Sequence, residues 1–215
     1  MLKAKFILIF ASLCFIVFKA SAIPDPKDAA HLIYTTVNAK LHQEDKNRQF
    51  AFLYLQQSDQ DGVWFTSEAV RQTLTQKEGM LGKLTYAPPW PSLDLPSNMR
   101  IAGISANAQP GSNVGHAEQK MLADFKTMYD GVFPLDTCPA YIILATKLFP
   151  CYQVGNLGCG KDFIETTKSQ FNACAKGEKR KQFLYLYIGQ NAANDWNIQK
   201  KNFAENEIPI IYGPN

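Results

Sequence analysis

Apolar and polar positions alternate along the 215-residue chain in patterns typical of both helices and strands. Five segments are predicted to be helical, most of them from apolar residues at three- and four-residue spacing: 28–44, 67–78, 116–129, 159–175 and 191–205. Five apolar runs are typical of strands: 49–55, 99–105, 140–145, 183–188 and 208–212. A turn at 59–62 followed by Val63-Trp64-Phe65 predicts a β-hairpin with the first strand.

The order of these elements indicates the fold class. After residue 139 the chain alternates strand, helix, strand, helix, strand, which implies parallel pairing with right-handed crossovers. Pro209 is tolerated in the last strand only if that strand lies at a sheet edge. Asp28 is the expected N-cap of the first helix. The sequence therefore predicts one α/β domain.

The first 22 residues follow a different pattern. Lys3 and Lys5 precede an apolar run over 6–18, and Ala20-Ser21-Ala22 has the small-x-small pattern of a cleavage site. The run is shorter than the roughly 20 residues that span a bilayer as a helix. We expect a secretory signal peptide at 1–22, a mature domain at 23–215, and an extracellular protein without a membrane anchor.

Removal of that segment changes the charge balance. Of 22 basic residues, Lys3, Lys5 and Lys19 leave without any acid, so 19 basic residues face 19 acidic ones. The mature chain is formally neutral and lacks the overall basic character of many nucleic-acid-binding domains. A local basic cluster remains at 176–181, where a solvated loop after a helix is the simpler interpretation.

Four cysteines remain in the mature chain: Cys138, Cys151, Cys159 and Cys174. In a secreted protein, two disulfides with three alternative connectivities are the default expectation. The predicted topology favours another arrangement. Cys151 follows a strand and Cys159 opens the next helix, so both belong at one end of the sheet. Cys138 precedes that strand and Cys174 ends the helix, so both belong at the other end, where we predict a disulfide.

A histidine and a carboxylate are expected at the end of the sheet where Cys151 and Cys159 lie. His116 and Glu118 open the helix that precedes the strand at 140–145. Catalytic zinc takes three protein ligands and keeps a fourth position for water, whose proton a nearby carboxylate can accept. His116, Cys151 and Cys159 are therefore the predicted zinc ligands, and Glu118 the proton carrier. The simpler alternative for His116 is a capping or surface histidine.

Two motifs resemble those of the cytidine-deaminase-like superfamily, which includes the AID/APOBEC enzymes and the tRNA adenosine deaminases. They are Gly115-His116-Ala117-Glu118 and Thr146-Lys147-Leu148-Phe149-Pro150-Cys151. The family pattern is H-x-E followed by P-C-x-x-C. Here seven residues separate the two cysteines, and Lys147-Leu148-Phe149 stands where the family has Ser-Trp-Ser. The element order is similar from about 115 to 212, and the signal peptide makes the chain look like the secreted AID/APOBEC-like deaminases.

The resemblance implies an α/β/α layered fold, with a mixed sheet whose C-terminal strand pair is parallel. It implies that His116, Cys151 and Cys159 hold zinc and that Glu118 moves the proton. A zinc-activated water would attack cytosine C4 or adenine C6 of a nucleoside or single-stranded nucleic acid, and ammonia would leave. Substrate contacts are predicted at Asn107, Asn113 and Tyr187, although turn asparagines and a packed strand tyrosine are simpler interpretations.

Two other functions stay open at this point. One is a deaminase of a free purine or pyrimidine nucleoside, which the neutral mature chain favours, since strand binding depends on phosphate electrostatics. The other is a non-catalytic, secreted interaction protein with two disulfides, in which His116 and Glu118 are ordinary surface residues.

Overall fold

Apolar runs of the sequence pair into one open, mixed sheet. The computed structural model describes residues 23, 25–40, 49–56, 67–76, 95–103, 115–123, 125–133, 138–151, 158–174, 184–189 and 197–213, with the backbone alone for 67, 169–174, 184 and 198. The strands in these ranges are β1 Phe50–Gln56, β2 Met99–Gly103, β3 Tyr141–Thr146, β4 Leu184–Ile188 and β5 Ile210–Tyr212. The helices are α1 Pro26–Lys40, α2 Ser67–Thr75, α3 Ala117–Leu122, α4 Phe125–Val132, α5 Cys159–Cys174 and α6 Asn197–Glu205.

The sheet has the strand order β2-β1-β3-β4-β5. Strand β1 pairs antiparallel with both β2 and β3. Strand β4 pairs parallel with β3 on one side and with β5 on the other. The predicted α/β class and the parallel C-terminal strand pair are therefore confirmed, and β5, which follows Pro209, lies at the end of the strand order as expected.

Side chains on the two faces of the sheet form separate cores. On one face, alternate residues such as Leu53, Leu144 and Leu186 pack with α3, α4, α5 and α6. On the other face, Phe52 and Ile143 pack with α1 and α2. The alternation follows from strand geometry, in which successive side chains point to opposite faces. Helices thus cover the sheet on both sides, which explains why its strands read as continuous apolar runs.

The predicted helix over 116–129 is two helices. Helix α3 ends at Leu122, Ala123 forms a turn, and α4 begins at Phe125. Both helices contribute to the same core, with Met121 in α3 and Met128 in α4 buried. Because the apolar spacing continues through the break, periodicity alone cannot detect it.

Two further expectations change at the N-terminal side. Helix α1 begins at Pro26, and the Asp25 carboxylate accepts a hydrogen bond from the Lys27 backbone N–H at 2.8 Å. Asp25 is therefore the cap, and Asp28 lies in the first turn. The returning hairpin strand at 63–65 lies outside the described residues, and β2 and β3 occupy both edges of β1.

The predicted signal peptide at 1–22 also lies outside the described part of the chain. Among the helices that are described, none combines the length and the apolar character needed to cross a membrane.

Candidate metal centre

The candidate centre lies where three segments meet at the carboxyl end of β3. Gly115 forms a turn with φ 81°, a backbone region that favours glycine. His116 follows in an extended conformation and directly precedes α3, whose second residue is Glu118. Cys151 comes five residues after the end of β3, and Cys159 is the first residue of α5. The structure brings together the four residues that the sequence predicted at this end of the sheet.

Packing holds each segment in place. The Lys120 ammonium donates to the Gly103 carbonyl at 2.9 Å, which ties α3 to the end of β2. The Phe149 ring packs edge-on against Phe203 of α6, with centroids 6.4 Å apart, and so anchors the segment that leads to Cys151. A Cβ at Gly160 would lie 3.3 Å from the Phe203 ring and 3.7 Å from Pro150. The start of α5 therefore sits closely against the segment that carries Cys151.

The three candidate ligand atoms lie close enough together to share one metal ion. The two sulfurs of Cys151 and Cys159 are 3.3 Å apart. The His116 Nδ1 atom lies 3.2 Å from the Cys151 sulfur and 3.5 Å from the Cys159 sulfur. Tetrahedral zinc bonds of about 2.3 Å to sulfur and about 2.0 Å to nitrogen would separate the ligand atoms by roughly 3.5–3.8 Å, which is slightly more than these distances. Both cysteines are free thiols, and the group can hold a metal ion.

The two thiols have different surroundings. The Cys159 thiol and the Cys159 backbone N–H, 3.4 Å away at the start of α5, both hydrogen-bond to the Cys151 sulfur and lower the pKa of Cys151 to about 5. The same hydrogen bond, together with burial, raises the pKa of Cys159. Since metal ions bind thiolates, metal binding displaces the proton that the two sulfurs share.

Glu118 is fully buried beside this group. Its Oε1 atom accepts a hydrogen bond from the Gln49 side-chain amide at 2.7 Å, whereas Oε2 has no partner within the described residues. Burial raises the pKa of Glu118 to about 7, and the nearby Cys151 sulfur adds to this effect. Removal from water disfavours the charged carboxylate, so Glu118 can both take up and release a proton near neutral pH.

Gln49 is a site residue that the sequence did not suggest. It directly precedes β1, and 69 residues separate it from Glu118. No local motif links two positions so far apart. Strand alternation alone could have placed Gln49 on the same sheet face as Ala51 and Leu53, which is the face that α3 covers.

One predicted substrate residue, Tyr187, is not brought to this group. Tyr187 is fully buried on the opposite face of the sheet, where its ring packs against Tyr34 and its hydroxyl hydrogen-bonds with His31 Nδ1 at 3.1 Å. This is a packing role, and it does not support base stacking by Tyr187. Asn107 and Asn113 lie outside the described residues.

The predicted disulfide is consistent with the structure as far as it is described. Cys138 is disulfide-bonded, and Cys151 and Cys159 are free, so neither of these two is its partner. Cys174 ends α5 as expected. Its side chain is outside the described part, so the Cys138–Cys174 pairing stays a prediction.

Searches of this chain against models of protein families, curated protein sequences and solved structures find no match.

Proposed function

We propose that this chain is a secreted, zinc-dependent deaminase that converts cytosine to uracil by hydrolysis. One observation carries the proposal: His116, Cys151 and Cys159 converge beside a fully buried Glu118, whose second oxygen has no partner among the described residues. A purely structural metal site needs no such carboxylate. Ligands of open α/β sheets gather at the carboxyl ends of strands, which is where this group lies.

The donor set supports zinc. Two thiolates and one imidazole suit Zn²⁺, whereas calcium and magnesium prefer oxygen ligands. Structural zinc sites have four protein ligands, whereas the described residues supply three here, which is the number found in catalytic sites. When bound, zinc acts as a Lewis acid that lowers the pKa of a water molecule to about 7.

The chain's own contribution to the reaction centres on Glu118. Deamination forms a bond between a water oxygen and C4 of cytosine and breaks the bond from C4 to the amino nitrogen. Glu118 takes the two protons of the water oxygen one after the other, and delivers the first to the ring nitrogen N3 and the second to the amino group, which leaves as ammonia. Its raised pKa suits a group that must act first as a base and then as an acid.

The substrate class is proposed to be a cytosine-containing nucleoside or single strand. The formal neutrality of the mature chain favours a free nucleoside, purine or pyrimidine, as the alternative. The further alternative of an interaction protein with two disulfides is less well supported, because Cys151 and Cys159 are free thiols.

Replacement of Glu118 by glutamine tests the proposal. Glu118→Gln removes the proton carrier but keeps the ligands, so we expect zinc content to be unchanged and kcat on cytidine or a cytosine-containing strand to fall by about 10²–10⁴-fold. Glu68→Gln is the matched control, because Glu68 is an exposed carboxylate on α2 that pairs with Arg71. Full activity of Glu118→Gln, or no turnover by the zinc-loaded wild-type protein on any nucleobase, would contradict the proposal.

A further inference from the structure

The contact between Gln49 and Glu118 joins two elements that are held independently. Gln49 precedes β1, whose first residue Phe50 pairs with Gly103 and accepts a hydrogen bond from the Lys147 backbone N–H at 3.1 Å. Glu118 lies in α3, which Lys120 ties to the end of β2. The position of the Gln49 amide relative to the carboxylate is therefore fixed by the sheet and the helix before any substrate binds.

This contact makes the two carboxylate oxygens of Glu118 different. Oε1 accepts the Gln49 amide hydrogen at 2.7 Å, and Oε2 is buried without a partner in the described part of the chain. An amide N–H can only donate, so it favours an unprotonated oxygen at Oε1. Of the two oxygens, Oε2 is therefore the one that Gln49 leaves available to a substrate.

We propose that Gln49 is a positioning residue that holds Oε1 of Glu118 and so leaves Oε2 available to the reacting groups. This inference rests on the proposed deaminase function. It adds a residue that acts through its hydrogen-bond partner Glu118. Without the amide, the carboxylate loses its only hydrogen bond to another side chain that the structure describes, and it can rotate away from the productive orientation.

Replacement of Gln49 by leucine tests the inference, because leucine fills most of the same space but has no hydrogen-bond donor. We expect Gln49→Leu to keep its zinc, to lower kcat by roughly tenfold to a hundredfold, and to leave KM within about twofold, as loss of a hydrogen bond to a charged group implies. Gln49→His, which restores a donor, should recover part of kcat. Gln72→Leu is the matched control, since Gln72 donates to the exposed Glu68 carboxylate at 3.2 Å.

A spectroscopic measurement separates this inference from the proposed function. In protein labelled with ¹³C at the glutamate carboxyl carbon, the Glu118 resonance is the one that disappears in Glu118→Gln. We expect this resonance to shift in Gln49→Leu and to stay in place in Gln72→Leu, whether or not a deaminase substrate is found.

Three results would overturn the inference. The first is an unchanged Glu118 resonance in Gln49→Leu. The second is an unchanged kcat in that variant when the wild-type protein deaminates cytidine. The third is a lower KM with a higher kcat, which would mean that the Gln49 amide obstructs the substrate rather than positioning Glu118.

Discussion

At the scale of single residues, buried polar atoms without a hydrogen-bond partner point to the candidate centre. Glu118 Oε2 and Thr146 Oγ1 are buried and have no hydrogen-bond partner in the part of the chain that the structure describes. An unpaired buried polar group costs about 1–3 kcal/mol, and such groups are uncommon in folded proteins. Thr146 ends β3, five residues before Cys151, on the sheet face that carries Leu144. Both atoms therefore belong to the end of the sheet where the candidate centre lies.

At the same scale, substitution of Cys159 tests whether His116, Cys151 and Cys159 bind a metal ion. Cys159→Ser replaces a thiolate with a hydroxyl, a much weaker zinc ligand, so we expect the zinc content to fall from about one per chain to near zero. Elemental analysis of the purified protein measures this directly. Denatured, metal-free wild-type protein should titrate two thiols and the variant one.

The control for that experiment removes Cys138 and Cys174, which lie outside the candidate centre. The double variant Cys138→Ser, Cys174→Ser should keep its zinc, because Cys138 is disulfide-bonded and lies before β3, at the far end from the group. Zinc retained by Cys159→Ser at the wild-type level would show that the assigned ligand set is wrong.

At the scale of elements, close packing between α1 and β4 sets the geometry of the second sheet face. Tyr34 of α1 stacks on Phe50 of β1 and contacts Tyr187 of β4, with ring centroids 5.2 and 5.3 Å away. Gly189 follows β4, and its backbone N–H donates to the Thr146 carbonyl at 2.8 Å. The ring of Tyr34 thus occupies the space beside Gly189 where any other residue would have its Cβ atom.

Gly189→Ala tests this packing. The added Cβ would lie 1.9 Å from the Tyr34 ring, so the ring or the strand end must move. We expect the free energy of unfolding to fall by about 1–3 kcal/mol, as measured by urea denaturation.

Gly131→Ala is the matched control for this substitution. Gly131 lies in α4, and an added Cβ there meets no atom within 4 Å. Alanine in a helix should therefore raise the free energy of unfolding by about 0.5–1 kcal/mol. A Gly189→Ala variant as stable as the wild type would show that the contact with Tyr34 relaxes without cost.

At the scale of the whole molecule, a metal at the candidate centre would link β3, α3 and α5. Binding to the folded state alone stabilises it by about 4 kcal/mol when the free metal is a thousandfold above Kd. Removal of zinc by a chelator should then lower Tm by roughly 8–16 °C, as followed by scanning calorimetry. The same chelator should leave the Tm of Cys159→Ser unchanged, and an equal drop in both proteins would mean that the chelator acts elsewhere.

The salt dependence of activity, which reflects the charge of the whole protein surface, distinguishes the two substrate classes. Binding of a strand to Lys and Arg side chains releases counterions and weakens steeply as salt rises, whereas nucleoside turnover does not depend on phosphate contacts. Because a nucleoside carries no phosphate, we expect kcat/KM on a nucleoside to change by less than about twofold between 50 and 200 mM salt. A steep loss of activity on single strands alone would favour the nucleic-acid substrate.

The sequence by itself determined the elements and their order. Apolar runs and helical spacing located the strands and most helix starts, and alternation in the second half predicted the parallel pairing of β3, β4 and β5. The chain order of strand and helix also placed Cys151 and Cys159 at one end of the sheet, because a strand end and the following helix start are neighbours. These are local consequences of periodicity and connection length.

Tertiary structure decided the features that depend on contacts between distant residues. The break between α3 and α4, the place of β2 beside β1, and the hydrogen bond from Gln49 to Glu118 leave no local pattern in the sequence. The sequence shows Tyr187 only as an aromatic residue in a strand. The folded sheet decides that its side chain lies on the face that packs against Tyr34 and not on the face of the candidate centre. Burial of the Glu118 carboxyl, which raises its pKa, exists only once α3 packs against β1.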